Sequence, residues 1–495
     1  MRGDYQLKMA KNNNDKMRAK YRPFINIWEH LPSEFNELIK TLMVLIRQGE
    51  NVGAQQRELD SIENFKHLLS GWKRAQRIIA DELIIRLSQI KDLELEKNCA
   101  HSKKDYETKK KCIRNIERTR LEIRILRRCI DSIVWAIFRN EHSSIRRLPI
   151  NRNTDNLTIF NIHDSMVVAD EINADPMAIA VITDITTFVH TGDLLALIPQ
   201  QGITLIEIKS GKKNIEFSKA AMFSVQSKCL HFDEIYRKDL DKNDLKHYDR
   251  AKRQLKRAQN VIDVIETGKG FDNFFQSQVT IHDRDFCPDF YTDKIIELWY
   301  EIYNGKTWAI TDINNCLFLG AYINSNMGFC GFNGWMEVSR ISGRVFNILD
   351  SFSDALSRPF FSLNLPDKLL LDIINGNLIV VLCFDHRRFV ERANKKYPGI
   401  YELLDFPSPK INPMSMLSIN GKGVVSSVDG QSVFIGNGYE TRIIFDQQYP
   451  DSLIKWSYHM SDLKKNIDKK KRKMKKETQR KIKEKRKRSR KQCLN

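Results

Sequence analysis

Two carboxylates and an ammonium stand where an apolar pattern has no place for them. In "HTGDLLALIPQQGITLIEIKSGKKN", residues 190 to 214, Asp193, Glu207 and Lys209 interrupt runs of Leu and Ile. Unpaired charges are costly among such neighbours, so the three either compensate one another or hold a ligand. Two carboxylates brought close together repel unless a cation lies between them. A hard divalent ion suits that set, Mg²⁺ first and Mn²⁺ second, because it needs few carboxylates and keeps the rest of its shell for water and phosphate. Such an ion acidifies a bound water and neutralises phosphoryl oxygens. A lysine two residues on can orient that water or stabilise charge developing in the transition state. The chemistry indicated is metal-assisted phosphoryl hydrolysis.

The positioning elements follow from the same stretch. Residues 193 to 198 and 203 to 209 read as strands, and the short "PQQG" link makes them an antiparallel hairpin. Alternation puts Glu207 and Lys209 on one face, while Asp193 opens the strand that lies beside their end. All three then converge at one edge of a sheet. Upstream, "LTIFNI" and "MAIAVITDITTFV" also read as strands. Before them an amphipathic helix carries Ile116, Ile123, Leu126, Ile130, Ile133 and Ile137 on one side. After the hairpin come helices at roughly 216 to 237 and 243 to 267, the second ending at Gly268.

Asp193, thirteen residues, then Glu207-Ile208-Lys209, flanked by helices in this order, resembles the signature of the PD-(D/E)XK nuclease superfamily, the restriction-endonuclease-like fold. The proline of the motif name is absent, and Gly192 precedes the aspartate. The resemblance covers residues 113 to 267, roughly a third of the chain. It implies metal binding by Asp193 and Glu207 with the Ile208 carbonyl, and a catalytic role for Lys209. It also implies an upstream acid, for which Glu141 and Asp131 are both candidates and Glu141 is preferred for its position at the helix end. A further residue on a following helix would be Gln226, with Gln254 as the substitute. Lys212, Lys213 and "KRQLKR" at 252 to 257 would position a phosphate backbone. Chains joining such a core to large accessory regions resemble nucleases of bacterial defence systems or mobile elements.

The rest of the chain bounds this reading. At 495 residues it is too long for one core, and with 41% hydrophobic residues it has the material to fold. The expected architecture is multi-domain α+β. Residues 1–112 form an N-terminal helical region, 113–285 the nuclease-like core, 286–460 an α+β accessory domain and 461–495 a polybasic tail. Within the first, two amphipathic helices separated by "NCAHS" at 98 to 102 read as an antiparallel, coiled-coil-like hairpin, and a homodimer through this arm is one use for it. No apolar run approaches the roughly 18 residues of a membrane helix, and no secretion signal is visible, so the expectation is a cytoplasmic protein without a membrane partner. Nine scattered cysteines with no CxxC pair argue for reduced thiols and against a disulfide framework or zinc ribbon.

Charge points to polyanions. From Asp462 to Lys491 the tail holds 18 Lys or Arg against 4 Asp or Glu, so it carries +14 of the net +19. Such a segment favours nucleic acid, DNA being the expected substrate, through counterion release. Other clusters are weaker. "IHDRDF" at 281 to 286, "NIHDSM" and "HFDE" lack a second set of ligands at metal spacing, and each reads as a solvated stretch. "GFCGFNGWMEVSRISG" reads as an aromatic, glycine-rich loop packed on its own domain rather than a phosphate loop. The expected function is a Mg²⁺-dependent endonuclease. The alternative is a non-catalytic nucleic-acid-binding or assembly protein with a degenerate nuclease fold.

Overall fold

The computed structural model describes residues 17–26, 28, 31–50, 61–149, 157–209, 211–227, 230–273, 276–281, 286–406, 415–428 and 431–460. The polybasic tail and "HDRD" of 282 to 285 lie outside them. The architecture is α+β, 60% helical and 15% strand, with the strands divided among several small antiparallel sheets. Two compact units are present, one drawn from 26–284 and 349–378, the other from 1–25, 285–348 and 379–495. The division between the units falls at 284/285. A boundary at 112 does not appear, because residue 112 lies inside a continuous helix, and 349–378 joins the first unit.

The first unit opens with α1 (Ser33–Gln48), whose Phe35, Ile39, Leu42 and Ile46 are buried at helical spacing. Next come α2 (Ser61–Ser102) and α3 (Tyr106–Ile137), which are one antiparallel hairpin. Arg86 pairs with Glu122 at 2.9 Å and Arg120 with Glu94 at 3.2 Å, and these cross-links set the register. "NCAHS" does not interrupt α2. The reversal falls just beyond it, at Lys104 with φ +58° and at Asp105, whose carboxylate caps α3 by accepting the Thr108 N–H. Residues 128 to 135 of α3 are buried on every side, so the base of the hairpin is core and belongs to the unit that carries the candidate site.

Helix α4 (Ile159–Asn173) occupies "LTIFNI", which the sequence reading made a strand. The Thr158 hydroxyl accepts the Asn161 N–H as an N-cap, and Ile162, Met166 and Ala169 continue the buried face past the short apolar window. The sheet follows as β1 (Ile179–Ile182), β2 (Leu194–Ile198) and β3 (Gly202–Ile206), in that spatial order and antiparallel throughout. β1 is shorter than expected, because Thr183 and Thr186 turn the chain by bonding to main-chain carbonyls.

The free edge of β1 is closed by side chains. Gln76 of α2 donates to the Ala180 carbonyl at 2.9 Å and accepts the Ile182 N–H at 3.0 Å, as a neighbouring strand would. Asn173 accepts the Ala180 N–H. An edge so covered cannot recruit another chain. Gln76→Leu leaves the buried Ile182 N–H unpaired and the Ala180 carbonyl with only the 3.4 Å bond from the Asn173 amide, and is expected to cost about 1–3 kcal/mol. Chemical denaturation checks this, with an unshifted midpoint as the contrary result.

Beyond the sheet, the expected helix at 216 to 237 is two, α5 (Lys212–Ser227) and α6 (Leu230–Lys238). Helix α7 (Lys242–Thr267) is capped by Asp241 and ends at left-handed Gly268. It packs on α5 through Phe217, Ala221, Tyr248 and Ala251. The hairpin β4 (Lys269–Asp272) and β5 (Ser277–Thr280) then folds back against α7.

The second unit contains α8 (Thr292–Tyr303), β6 (Trp308–Ile313), β7 (Leu317–Tyr322), α9 (Ser325–Val338), β8 (Val345–Asn347), β9 (Ile379–Phe384) and α10 (His386–Lys396). Its sheet runs β6-β7-β9-β8, with β7 and β9 wholly buried. A smaller sheet of β10 (Tyr401–Leu404), β11 (Ser418–Ile419), β12 (Lys422–Val428) and β13 (Gln431–Phe434) precedes α11 (Gly438–Ile444). The glycine-rich "GFCGFNGW" is helical, not a loop. Asn324 caps α9, and Gly328 lets it lie on Phe24 and Tyr322, where an added Cβ would sit 3.0 and 3.3 Å from ring carbons. Among the described residues no helix is long and apolar enough to cross a membrane, and the seven described cysteines are free thiols.

Candidate active site

The hairpin of β2 and β3 brings the two carboxylates together in a way its register dictates. Leu194 pairs with Ile206, so Asp193 immediately precedes β2 and Glu207 immediately follows β3 at the same end. The Asp193 N–H donates to the Ile206 carbonyl at 2.8 Å, extending the ladder by one bond. Gly192 enters this position with φ +75°, and a Cβ there would lie 3.1 Å from the Ile206 oxygen. Glycine before the aspartate is therefore a steric requirement of this turn.

The ladder ends sooner than the sequence reading placed it. Glu207, Ile208 and Lys209 lie beyond the end of β3, and the Ile208 N–H donates to Asp193 Oδ2 at 2.6 Å instead of to a strand. The aspartate side chain thereby takes the place of a strand partner and holds Glu207-Ile208-Lys209 against the edge. Lys209 Nζ donates to Glu207 Oε2 at 3.1 Å and to Gln254 Oε1 at 3.0 Å. Gln254 comes from α7, which packs across β3.

Electrostatics follow from this crowding. The Glu207 side chain is only 9% exposed. Burial raises its carboxyl above the usual carboxylate range, and the nearby Asp193 charge adds to the rise. Lys209 and Arg250 pull the other way without cancelling it. A charge held at a cost in the free protein is what an added cation would relieve. In a chelator, Glu207 loses part of its tendency to ionise on folding, so it weakens the fold as pH rises from the ordinary carboxylate value through the raised one. Glu207→Gln never ionises and keeps an acceptor for Lys209. Its melting temperature in EDTA is expected to gain on wild type as pH rises above the ordinary carboxylate range, and saturating Mg²⁺ should remove that advantage. Thermal denaturation checks it, and a pH-independent difference would contradict it.

The donor set fits a hard divalent ion: two carboxylates and an adjacent main-chain carbonyl, with remaining positions for water and phosphate. No group of three or more His, Cys, Asp or Glu side chains at metal-holding distance occurs among the described residues, so neither upstream acid joins the pair. Glu141 is exposed at the N-cap position of the short helix His142–Ile145, where its carboxylate accepts from the Ser143 and Ser144 hydroxyls and from no helix N–H. Asp131 is wholly buried and accepts from Arg128 and from the Thr187 N–H and hydroxyl. Gln226 is exposed on α5, and Lys209 takes its amide partner from α7.

Two of the basic residues expected to face a phosphate are otherwise engaged. Lys213 pairs with Asp244 at 2.9 Å, and Lys252 with Asp233 at 2.6 Å. Burial opposes the Asp233 charge, yet Lys252, Tyr248 and Ser224 together hold that carboxyl below its ordinary value, which marks "HFDE" as structural. Arg250 was not singled out from the sequence. Its position one helical turn before Gln254 was the available signal. Comparison with known proteins returns no match, whether with a family model, a curated protein or a solved structure.

Proposed function

We propose that the chain is a Mg²⁺-dependent nuclease of the PD-(D/E)XK type that hydrolyses nucleic-acid phosphodiesters, DNA before RNA. The observation that carries this reading is the meeting of Asp193 and Glu207 at the ends of paired strands, with Lys209 clamped between Glu207 and Gln254. Asp193, Glu207 and the Ile208 carbonyl would hold the ion. Once bound, it would supply an acidified water and neutralise phosphoryl charge. Lys209 brings an ammonium whose orientation is set before substrate arrives, so it can donate to the attacking water or to a non-bridging oxygen as charge develops there. Gln254 acts through Lys209 as a positioning residue.

The test uses the full chain on plasmid, linear duplex and single-stranded DNA, and on RNA, with Mg²⁺, with Mn²⁺ and with EDTA. Cleavage that requires a divalent ion is expected. Absence of cleavage in every arm, or cleavage unaffected by EDTA, would overturn the reading. A second reading, a non-catalytic nucleic-acid-binding or assembly protein, draws on one observation: Lys209 already compensates Glu207, and among the described residues no third acid joins the pair. That reading expects salt-sensitive binding without any divalent-ion dependence.

A further inference from the structure

Beside the candidate site, α7 and the β4–β5 hairpin line a half-open pocket of about 400 Å³. Its rim carries Arg253, Lys256 and Arg257, all exposed, and none of them forms an ion pair among the described residues. Its wall is Phe271 with Gln278 directly opposite on the paired strand. Its floor is amide. Asn260 donates to Asn273 at 3.0 Å, Asn273 donates to the Arg257 carbonyl at 2.9 Å, and Gln276 donates to the Asn273 carbonyl at 2.6 Å. Arg147 fastens the hairpin by an ion pair with the buried Asp272.

Each part matches one part of a nucleotide. Unpaired guanidinium and ammonium groups take a phosphate. An aromatic ring takes the face of an unstacked base, and carboxamides offer donors and acceptors to its edge. A duplex backbone needs only a basic face, whereas a recess lined by a ring and amides serves a base that has left the stack. Helix geometry gives the location: Arg250, Gln254 and Arg257 lie on one stripe of α7, and Arg257 is about 4.5 Å along the axis from Gln254.

We propose that this pocket seats one unpaired nucleotide of the nucleic-acid strand, next to the phosphate presented to Asp193, Glu207 and Lys209. The neighbouring phosphate rests on the nuclease reading, but occupancy of the pocket by an unpaired nucleotide does not. The pocket therefore selects strands that are single-stranded, or opened, beside the cut.

The experiment measures fluorescence anisotropy of the full chain in EDTA, where no cleavage intervenes, with a blunt DNA duplex, the same duplex bearing a single-stranded overhang, and dAMP as competitor. The overhang is expected to bind about five- to tenfold more tightly than the blunt duplex. Phe271→Leu and the exposed-site variant Gln278→Ala should each erase that preference while keeping blunt-duplex binding. Arg257→Gln should weaken binding and lower the salt slope by about one. Equal binding of overhang and blunt duplex by wild type, or variants that lose both equally, would overturn the proposal. Displacement by dAMP as tight as by the overhang would assign the pocket to a free nucleotide and overturn it as well. Overhang preference without Mg²⁺-dependent cleavage would sink the nuclease reading alone, and cleavage without preference would sink the pocket alone.

Discussion

Glu207→Ala and Lys209→Ala are each expected to lower kcat/KM for phosphodiester cleavage by about 10²–10⁴-fold, with nucleic-acid binding in EDTA retained. The size follows from what each side chain would do. Glu207 supplies one of the two carboxylates that meet there among the described residues, so its loss would leave Asp193, already committed through Oδ2 to the Ile208 N–H, as the remaining acid of the pair. Lys209 brings an ammonium to Glu207, and its two acceptors fix it there. Gln254→Ala removes one of those acceptors and should cost about tenfold, in kcat more than in KM, because a bond to a charged group is worth about 1.5–3 kcal/mol. Gln226→Ala should leave both constants unchanged, since Gln226 is exposed on α5. Steady-state kinetics on one defined substrate reads all four variants. Equal turnover by wild type, Glu207→Ala and Lys209→Ala would remove these residues from the mechanism.

The legibility of this site in the sequence has a physical basis. A charge in an apolar strand is conspicuous, and a short antiparallel link leaves few registers, so the convergence of Asp193 and Glu207 could be read from spacing. Residues contributed by later helices could not. Gln226 and Gln254 both lie on amphipathic helices after the hairpin, and the choice between them depends on which helix crosses β3, a tertiary fact. The pocket was hidden for the same reason, because Phe271 and Gln278 belong to a hairpin too short to announce itself. "LTIFNI" misled because six residues are too few to separate period 2 from period 3.6. Residues 349–378 could not be assigned to the first unit from pattern alone. Their place depends on buried bonds such as Arg128 to the Ser357 carbonyl at 2.8 Å and Arg47 to the Leu365 carbonyl at 2.7 Å.

Asp131 shows how a candidate catalytic acid can instead belong to the framework that aims the site. Its carboxylate takes the Arg128 guanidinium at 2.8 Å and the Thr187 N–H at 2.9 Å, and both Asp131 and Arg128 are buried. Arg128 continues to the Ala355 carbonyl at 3.2 Å. Thr187 lies in the turn that leads to Asp193, where Thr183 further bonds the Gly192 carbonyl at 2.6 Å. Removing one member strands a buried charge, so Asp131→Ala is expected to destabilise the first unit by about 3–5 kcal/mol. Replacing both charges, as Arg128→Met with Asp131→Leu, should recover little of that loss. The Thr187 N–H and the carbonyls of Ala355 and Ser357 would still lack their partners, and each buried orphan costs about 1–3 kcal/mol. Glu141→Ala, at an exposed N-cap position, should shift stability by about 1 kcal/mol at most. Thermal and chemical denaturation of the three variants separates these outcomes. An Asp131→Ala protein that melts like wild type yet no longer cleaves would move Asp131 from the framework into the metal site.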